Sequence, residues 1–189
     1  MKFSRYHALG NDYIVMEASE LPAPFSERVV ERICHRHFGV GSDGILVHEP
    51  RRGDGAFSLR IFNPDGSQAE KSGNGLRIFS RYLWDRGLVQ DSPFSVSTAG
   101  GDVIACVAAG GRLVTVDMGH VSFSSSVIPV SGATREVLNE RLAVGGREIS
   151  FCAATVGNPH CVVLDLEVTK ENAERFGPLL ERHPLFPNR

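Results

Sequence analysis

Apolar and polar positions alternate over short stretches along most of this chain. Tyr13-Ile14-Val15-Met16, Gly44 to His48, Phe57 to Phe62 and Phe94 to Ser97 are rich in β-branched or aromatic residues and bounded by turn formers, so they predict strands. Val103 to Val107 and Leu113 to Met118 predict a hairpin around Ala108-Ala109-Gly110-Gly111. Two segments shift to a helical period. Ser26 is placed to cap a helix reaching about His37, with Glu27 in its first turn, Val29, Val30 and Ile33 as apolar positions and Gly39 just beyond. A second helix runs from about Gly75 to Arg86 and stops at Gly87. Leu76, Phe79, Ser80 and Leu83 share one of its faces, and Ile78, Tyr82 and Trp84 widen the apolar surface. A helix apolar on most sides must be surrounded, which predicts a sheet wrapped around it.

These elements make a first unit, residues 1–119. The stretch 123–134 is low in charge and rich in serine, and reads as a connection. A second unit, residues 120–189, predicts strands at Arg147 to Phe151 and Cys161 to Leu164. A helix from about Thr169 to Leu180 follows, with Thr169 as its cap; Gly177-Pro178 makes its last turn uncertain. This second unit is expected to be too short to close a core of its own.

Composition narrows the function classes. The chain has 189 residues, 42% hydrophobic and 22% charged, in the range of ordinary globular proteins. The net charge is -2 and no basic block is present, so nucleic acid is not the expected partner. No apolar run is long enough to span a bilayer, and the start lacks an apolar signal region, so the expectation is a cytoplasmic protein. The four cysteines, Cys34, Cys106, Cys152 and Cys161, form no C-x-x-C pair. No metal site is expected from them, and buried thiols are favoured over disulfides, Cys161 as a core residue among them.

The chemistry concentrates in glycine- and asparagine-bearing turns. Ser72-Gly73-Asn74-Gly75 leads straight into the second helix, where unpaired backbone N–H groups attract anions. Gly10-Asn11-Asp12, Asn63-Pro64-Asp65-Gly66 and Gly157-Asn158-Pro159-His160 each adjoin a strand. Taken singly, such sequences simply make turns. Converging on one pocket, their amides would suit a zwitterionic amino acid, whose ammonium wants acceptors and whose carboxylate wants donors. His35 and His37 flank a helix end and read as structural.

Five blocks then occur in an order that resembles the diaminopimelate epimerase family: Phe3 to Tyr13, Arg36 to Gly44, Arg60 to Ser67, Ser72 to Arg77 and Gly157 to Cys161. The resemblance covers essentially the whole chain and matches the amino-terminal two-thirds of the family. It implies an α+β fold in which a mostly antiparallel sheet curls around a central helix. It also implies two pseudo-symmetric domains, the second incomplete here. The implied activity is cofactor-independent amino-acid epimerisation, LL-diaminopimelate to meso-diaminopimelate, in lysine biosynthesis. By position, Asn11, Asn63, Gly73, Asn74 and Asn158 would bind substrate, and His160 would tune the catalytic pair. Gly44 stands where some members carry a polar ligand. A homodimer is a further expectation from the family.

Position 72 departs from the pattern. Family members use two cysteines as a thiolate–thiol pair, one taking the α-proton and the other delivering a proton to the opposite face. Here the first is Ser72, and the second would lie beyond Arg189. A thiol near pKa ~8.5 is lowered at a helix start, whereas a serine hydroxyl needs an adjacent base. The 189-residue form is therefore expected to be inactive alone. Ser72 fits an engineered change, a natural variant with altered chemistry or a degenerate copy; Ile78, where members often carry another cysteine, favours natural divergence. The alternatives are a catalytically silent amino-acid-binding paralog and a racemase or dehydratase of another amino acid, such as histidine or hydroxyproline.

Overall fold

The computed structural model describes residues 2–21, 23–164 and 166–187, and the chain divides into two compact units, Met1–Gly119 and His120–Arg189. The first unit holds strands β1 (Ser4–Ala8), β2 (Asn11–Glu17), β3 (Ile45–Glu49), β4 (Phe57–Phe62), β5 (Gln68–Ala69), β6 (Phe94–Thr98), β7 (Gly101–Ala108) and β8 (Leu113–Asp117). Its helices are α1 (Glu27–Cys34) and α2 (Gly73–Asp85). The sheet order is β1-β2-β3-β4-β6-β7-β8, with β5 on β4. The β2–β3 and β4–β6 pairs are parallel and the others antiparallel. The class is α+β, as the resemblance implies.

Side-chain alternation on β2 shows how the layers form. Tyr13 and Val15 join Leu46, Phe57, Leu59, Ile61, Val96, Val103 and Ala105 in one buried cluster with Leu76, Ile78, Phe79, Tyr82 and Leu83 of α2. Residues from five strands therefore meet one helix. Ile14 and Met16 point the other way, into a cluster with Ile45, Val47 and Phe62 that Val30, Ile33 and Cys34 of α1 cover. Burial on both faces explains why β2 and β3 read as unbroken apolar runs.

Helix α1 ends earlier than the sequence predicts. His35 leaves the helix at φ -61, ψ 119, and its Nδ1 accepts the N–H groups of His37 and Phe38. This local side-chain alternative outcompetes further helical turns. Ser26 stands at the N-cap without a side-chain capping bond. Helix α2 ends as read: Gly87 has φ 68, and the N–H of Leu88 reaches the Leu83 carbonyl at 3.0 Å.

The second unit holds β9 (Glu140–Val144), β10 (Arg147–Thr155), β11 (Pro159–Val163) and α3 (Lys170–Glu181), in an antiparallel sheet ordered β11-β10-β9. Gly145 and Gly146, at φ 57 and 77, make the two-residue turn between β9 and β10. Contrary to expectation, this unit has a core of its own: Ile128, Val130, Val137, Leu142, Val144, Ile149, Phe151, Ala153 and Phe176 cluster. Thr169 caps α3 by accepting the Asn172 N–H at 3.1 Å, and the helix continues through Pro178. Among the described residues no helix is long and apolar enough to cross a membrane.

Candidate active site

Ser72 is the N-cap of α2. Its extended backbone (φ -143, ψ 116) turns the side chain back over the first turn, where Oγ accepts the Gly75 N–H at 3.0 Å. Its carbonyl accepts the Leu76 N–H at 2.8 Å. Among the described residues no acceptor meets the N–H groups of Gly73 and Asn74, which carry the positive end of the helix dipole. Gly75 is tightly packed: an added Cβ would lie 3.1 Å from Ser72 Oγ and 3.2 Å from Leu46 Cδ2, so those neighbours would have to give way. Gly73 faces open space.

Beside this helix start the fold brings together two asparagines far apart in sequence. Asn74 Nδ2 approaches Asn11 Oδ1 at 3.5 Å, and Arg77 Nη1 donates to Asn74 Oδ1 at 2.9 Å. Asn11 Nδ2 donates to Asp43 Oδ2 at 3.2 Å. The same Asp43 oxygen accepts the Asp12 N–H at 3.0 Å, and Arg36 Nη2 bridges Asp43 Oδ1 at 2.6 Å and Asp12 Oδ1 at 2.8 Å. The Asp12 N–H, followed by Asn11 and Arg36, holds the Asp43 carboxyl below the usual carboxylate range against a smaller opposing effect of burial. Asp43, Arg36 and Arg77 were not singled out in the sequence, although Asp43 lies inside the Gly41-Ser42-Asp43-Gly44 block.

The other candidate residues are distributed differently. Asn63 is engaged in its own turn, donating from Nδ2 to Ser67 Oγ at 3.0 Å and receiving the Gly66 N–H on its carbonyl. Among the described residues no hydrogen bond joins it to Asn11, Ser72 or Asn74. Asn158 and His160 belong to the second unit, at the turn between β10 and β11. There Asn158 Nδ2 lies 3.4 Å from His160 Nε2, and Gly157 N–H donates to Thr155 Oγ1. Asn158 Oδ1 is buried and, among the described residues, has no hydrogen-bond partner.

Cys34 and Cys161 are poor candidates for a substitute base. All four are free thiols. Cys34 is buried in the α1 cluster, and burial raises its pKa. Cys161 is not the core residue expected: it is exposed on β11, beside a cavity of about 190 Å³ that His160 and Phe186 also line. Desolvation of its sulfur, then proximity to Cys152, pushes the thiol up to about 11, so it stays protonated.

The model of the diaminopimelate epimerase family matches residues 3–124, and a diaminopimelate epimerase 2 from Nostoc is 56% identical over 189 residues. The chain belongs to the diaminopimelate epimerase family. A diaminopimelate epimerase from Methanothermobacter thermautotrophicus is 38% identical over 193 residues. The alignments cover 100% and 99% of this chain but 66% and 68% of those relatives, so it spans about two thirds of their length. Members of the family are isomerases. Among solved structures, a probable proline racemase from Agrobacterium radiobacter aligns with a TM-score of 0.67 at 18% identity, over 90% of this chain and 54% of that one. A hydroxyproline epimerase from Agrobacterium vitis gives 0.66 at 18% identity with the same coverage. At that identity the likeness concerns the fold, which this chain shares with racemases and epimerases.

Proposed function

We propose that this chain carries the amino-terminal part of an amino-acid epimerase site, acting on LL-diaminopimelate to give the meso form by α-proton transfer without a cofactor. The observation that carries the reading is the helix start at Ser72. Gly73 and Asn74 present unpaired N–H groups, and Ser72 stands at the same helix end. An amino-acid carboxylate on those N–H groups would set its Cα near residue 72. The same donors stabilise the negative charge that spreads from Cα to the carboxylate when the α-proton leaves. Asn11 and Asn74, oriented by Asp43 and Arg77, offer amide oxygens to an ammonium and amide N–H groups to a carboxylate. Asn63 in the first unit, and Asn158 and His160 in the second, are further candidates by the family resemblance alone.

With serine at 72 the binding half of this site is retained and the base is weakened. The test is incubation of the full-length gene product with LL-diaminopimelate in deuterated water, following α-proton exchange and inversion by NMR. Ser72→Cys is expected to raise exchange by orders of magnitude. Binding with no exchange from either form would sink the epimerase reading and leave an amino-acid-binding protein on the same fold.

A further inference from the structure

Ser72 does not stand alone at its helix start. The Tyr13 hydroxyl lies 3.4 Å from Ser72 Oγ, and either oxygen can donate. Tyr13 is 6% exposed and packs in the cluster around α2, so its ring has little freedom to leave. Position 44 is fitted to that ring: a Cβ on Gly44 would lie 2.6 Å from Tyr13 Cε1 and 2.4 Å from the Phe62 carbonyl oxygen. A side chain at 44 and a phenol at this place therefore exclude each other.

The bonding around Ser72 leaves it able to relay. Oγ accepts the Gly75 N–H and keeps both a free lone pair and its own proton. A phenol ionises near pH ~10, whereas an aliphatic hydroxyl needs a neighbouring base to be active. Of the two hydroxyls, the phenol is the one able to hold a negative charge. An oxygen pair at 3.4 Å is long, but such contacts commonly tighten when substrate closes the site.

We propose that Tyr13 is a positioning residue that accepts a proton through Ser72, so that the two hydroxyls together replace the single base this helix start would otherwise need. The step uses Tyr13 in its phenolate form. As the substrate Cα–H bond breaks, its electron pair stays on Cα and its proton bonds Ser72 Oγ. The original Ser72 O–H bond breaks at the same time, and that proton bonds the Tyr13 phenolate oxygen. The proton now on Ser72 Oγ first exchanges with solvent; on reversal that solvent proton passes from Oγ to the same face of Cα while Tyr13 returns its proton to Oγ. This rests on the epimerase reading and requires only exchange on one face.

The charged groups around the phenol are committed elsewhere. Tyr6 faces Tyr13 across β1, and its hydroxyl donates to Asp85 of α2 at 3.1 Å. Asp12, on the same strand, is bound by Arg5 and Arg36. Lys71, next to Ser72, turns its amino group to the Met118 carbonyl at 3.3 Å. From α2 the polar group that meets Tyr13 is Ser72.

The experiment is α-proton exchange by the full-length gene product on LL-diaminopimelate in deuterated water, corrected for the enzyme-free rate, from pH 7 to 10. In the native sequence exchange should rise with pH. Tyr13→Phe should cut it about 100-fold and flatten the profile, in the range expected for loss of acid–base help. In the Ser72→Cys background, where the thiol is its own base, the same Tyr13→Phe change should cost less than about tenfold. Equal losses in both backgrounds would show that the ring only shapes the site, and no loss in the native background would overturn the proposal directly. Exchange by Ser72→Cys with none by the native sequence would also overturn it, leaving the epimerase reading intact. Absence of exchange and of substrate binding in every form would be the failure of that reading itself.

Discussion

Asp43→Asn tests whether a carboxylate sets the geometry of the asparagine pair. Asp43 Oδ2 accepts from both Asn11 Nδ2 and the Asp12 N–H, at 3.2 and 3.0 Å, and Oδ1 accepts from Arg36 at 2.6 Å. An asparagine has one acceptor oxygen, so at least one of these donors would face an NH₂ group. A hydrogen bond to a charged group contributes about 1.5–3 kcal/mol. The Asp43 side chain is 39% exposed, so solvent screening reduces the expected loss to about 1 kcal/mol. For a protein of this size that is a fall of a few °C in Tm, about 2–4 °C. The sign of the pH dependence follows from the direction of the shift. The folded carboxyl lies below its unfolded value, so its contribution is complete above the usual carboxylate range and is lost as pH falls through the lowered value. Urea unfolding at pH 7 should therefore separate the variant from the native sequence, and the gap should close in acid. A gap that persists unchanged once the pH is below the lowered value of the folded carboxyl would refute the electrostatic account. Substrate affinity should fall with the same variant, because Asn11 loses its anchor.

Other expectations follow from the same contacts. Phe79→Ala removes a fully buried ring from the cluster around α2 and should cost about 3–5 kcal/mol in urea unfolding; under 1 kcal/mol would mean that α2 is not the centre of that core. Tyr82→Phe deletes the hydroxyl that donates to Glu17 at 2.5 Å. Burial raises the Glu17 carboxyl, but the Tyr82 and His48 bonds outweigh it and hold it low; without Tyr82 its pKa should move up, as read by carboxyl-carbon NMR. Gly75→Ala forces a Cβ to 3.1 Å from Ser72 Oγ and should weaken substrate binding more than Gly73→Ala, whose Cβ meets open space; equal effects by calorimetry would contradict the packing account.

Much of the scaffold was legible because its signals are local. The apolar stripe of α2 and the stop at Gly87 stand where they were read, while the helix begins at Gly73, two residues earlier than expected, with Ser72 as its cap. Strand β9 escaped because Glu140-Arg141-Leu142-Ala143-Val144 carries two charges, and only its pairing with β10 buries Leu142 and Val144. The overrun of α1 has a similar origin, since the His35 ring offers backbone N–H groups a partner that periodicity cannot register. In the site, Ser72, Gly73 and Asn74 were visible as a contiguous motif. Their companions were not: Tyr13 lies 59 residues from Ser72 and Asp43 lies 32 from Asn11, so those contacts exist only once β2, β3 and α2 are packed.

On the proposed reading, Ser72 has two tasks that respond oppositely to its chemistry. As a cap it needs a good acceptor for the Gly75 N–H, and a hydroxyl oxygen is a better one than sulfur. As a base it needs an accessible anion, and there sulfur is better. On that reading, the serine strengthens the helix start offered to the carboxylate while it weakens proton transfer, unless the Tyr13 phenol restores the missing basicity. Ser72→Cys should accordingly lose up to about 1 kcal/mol of stability, the range of a weakened cap, and gain exchange rate in the same molecule. Ser72→Ala should lose the cap and the proton path together, yet keep carboxylate binding, because the Gly73 and Asn74 N–H groups belong to the backbone. Calorimetry with LL-diaminopimelate separates these effects. If Ser72→Ala abolished binding along with exchange, the carboxylate would not rest on those N–H groups, and residue 72 would be a ligand instead of a relay.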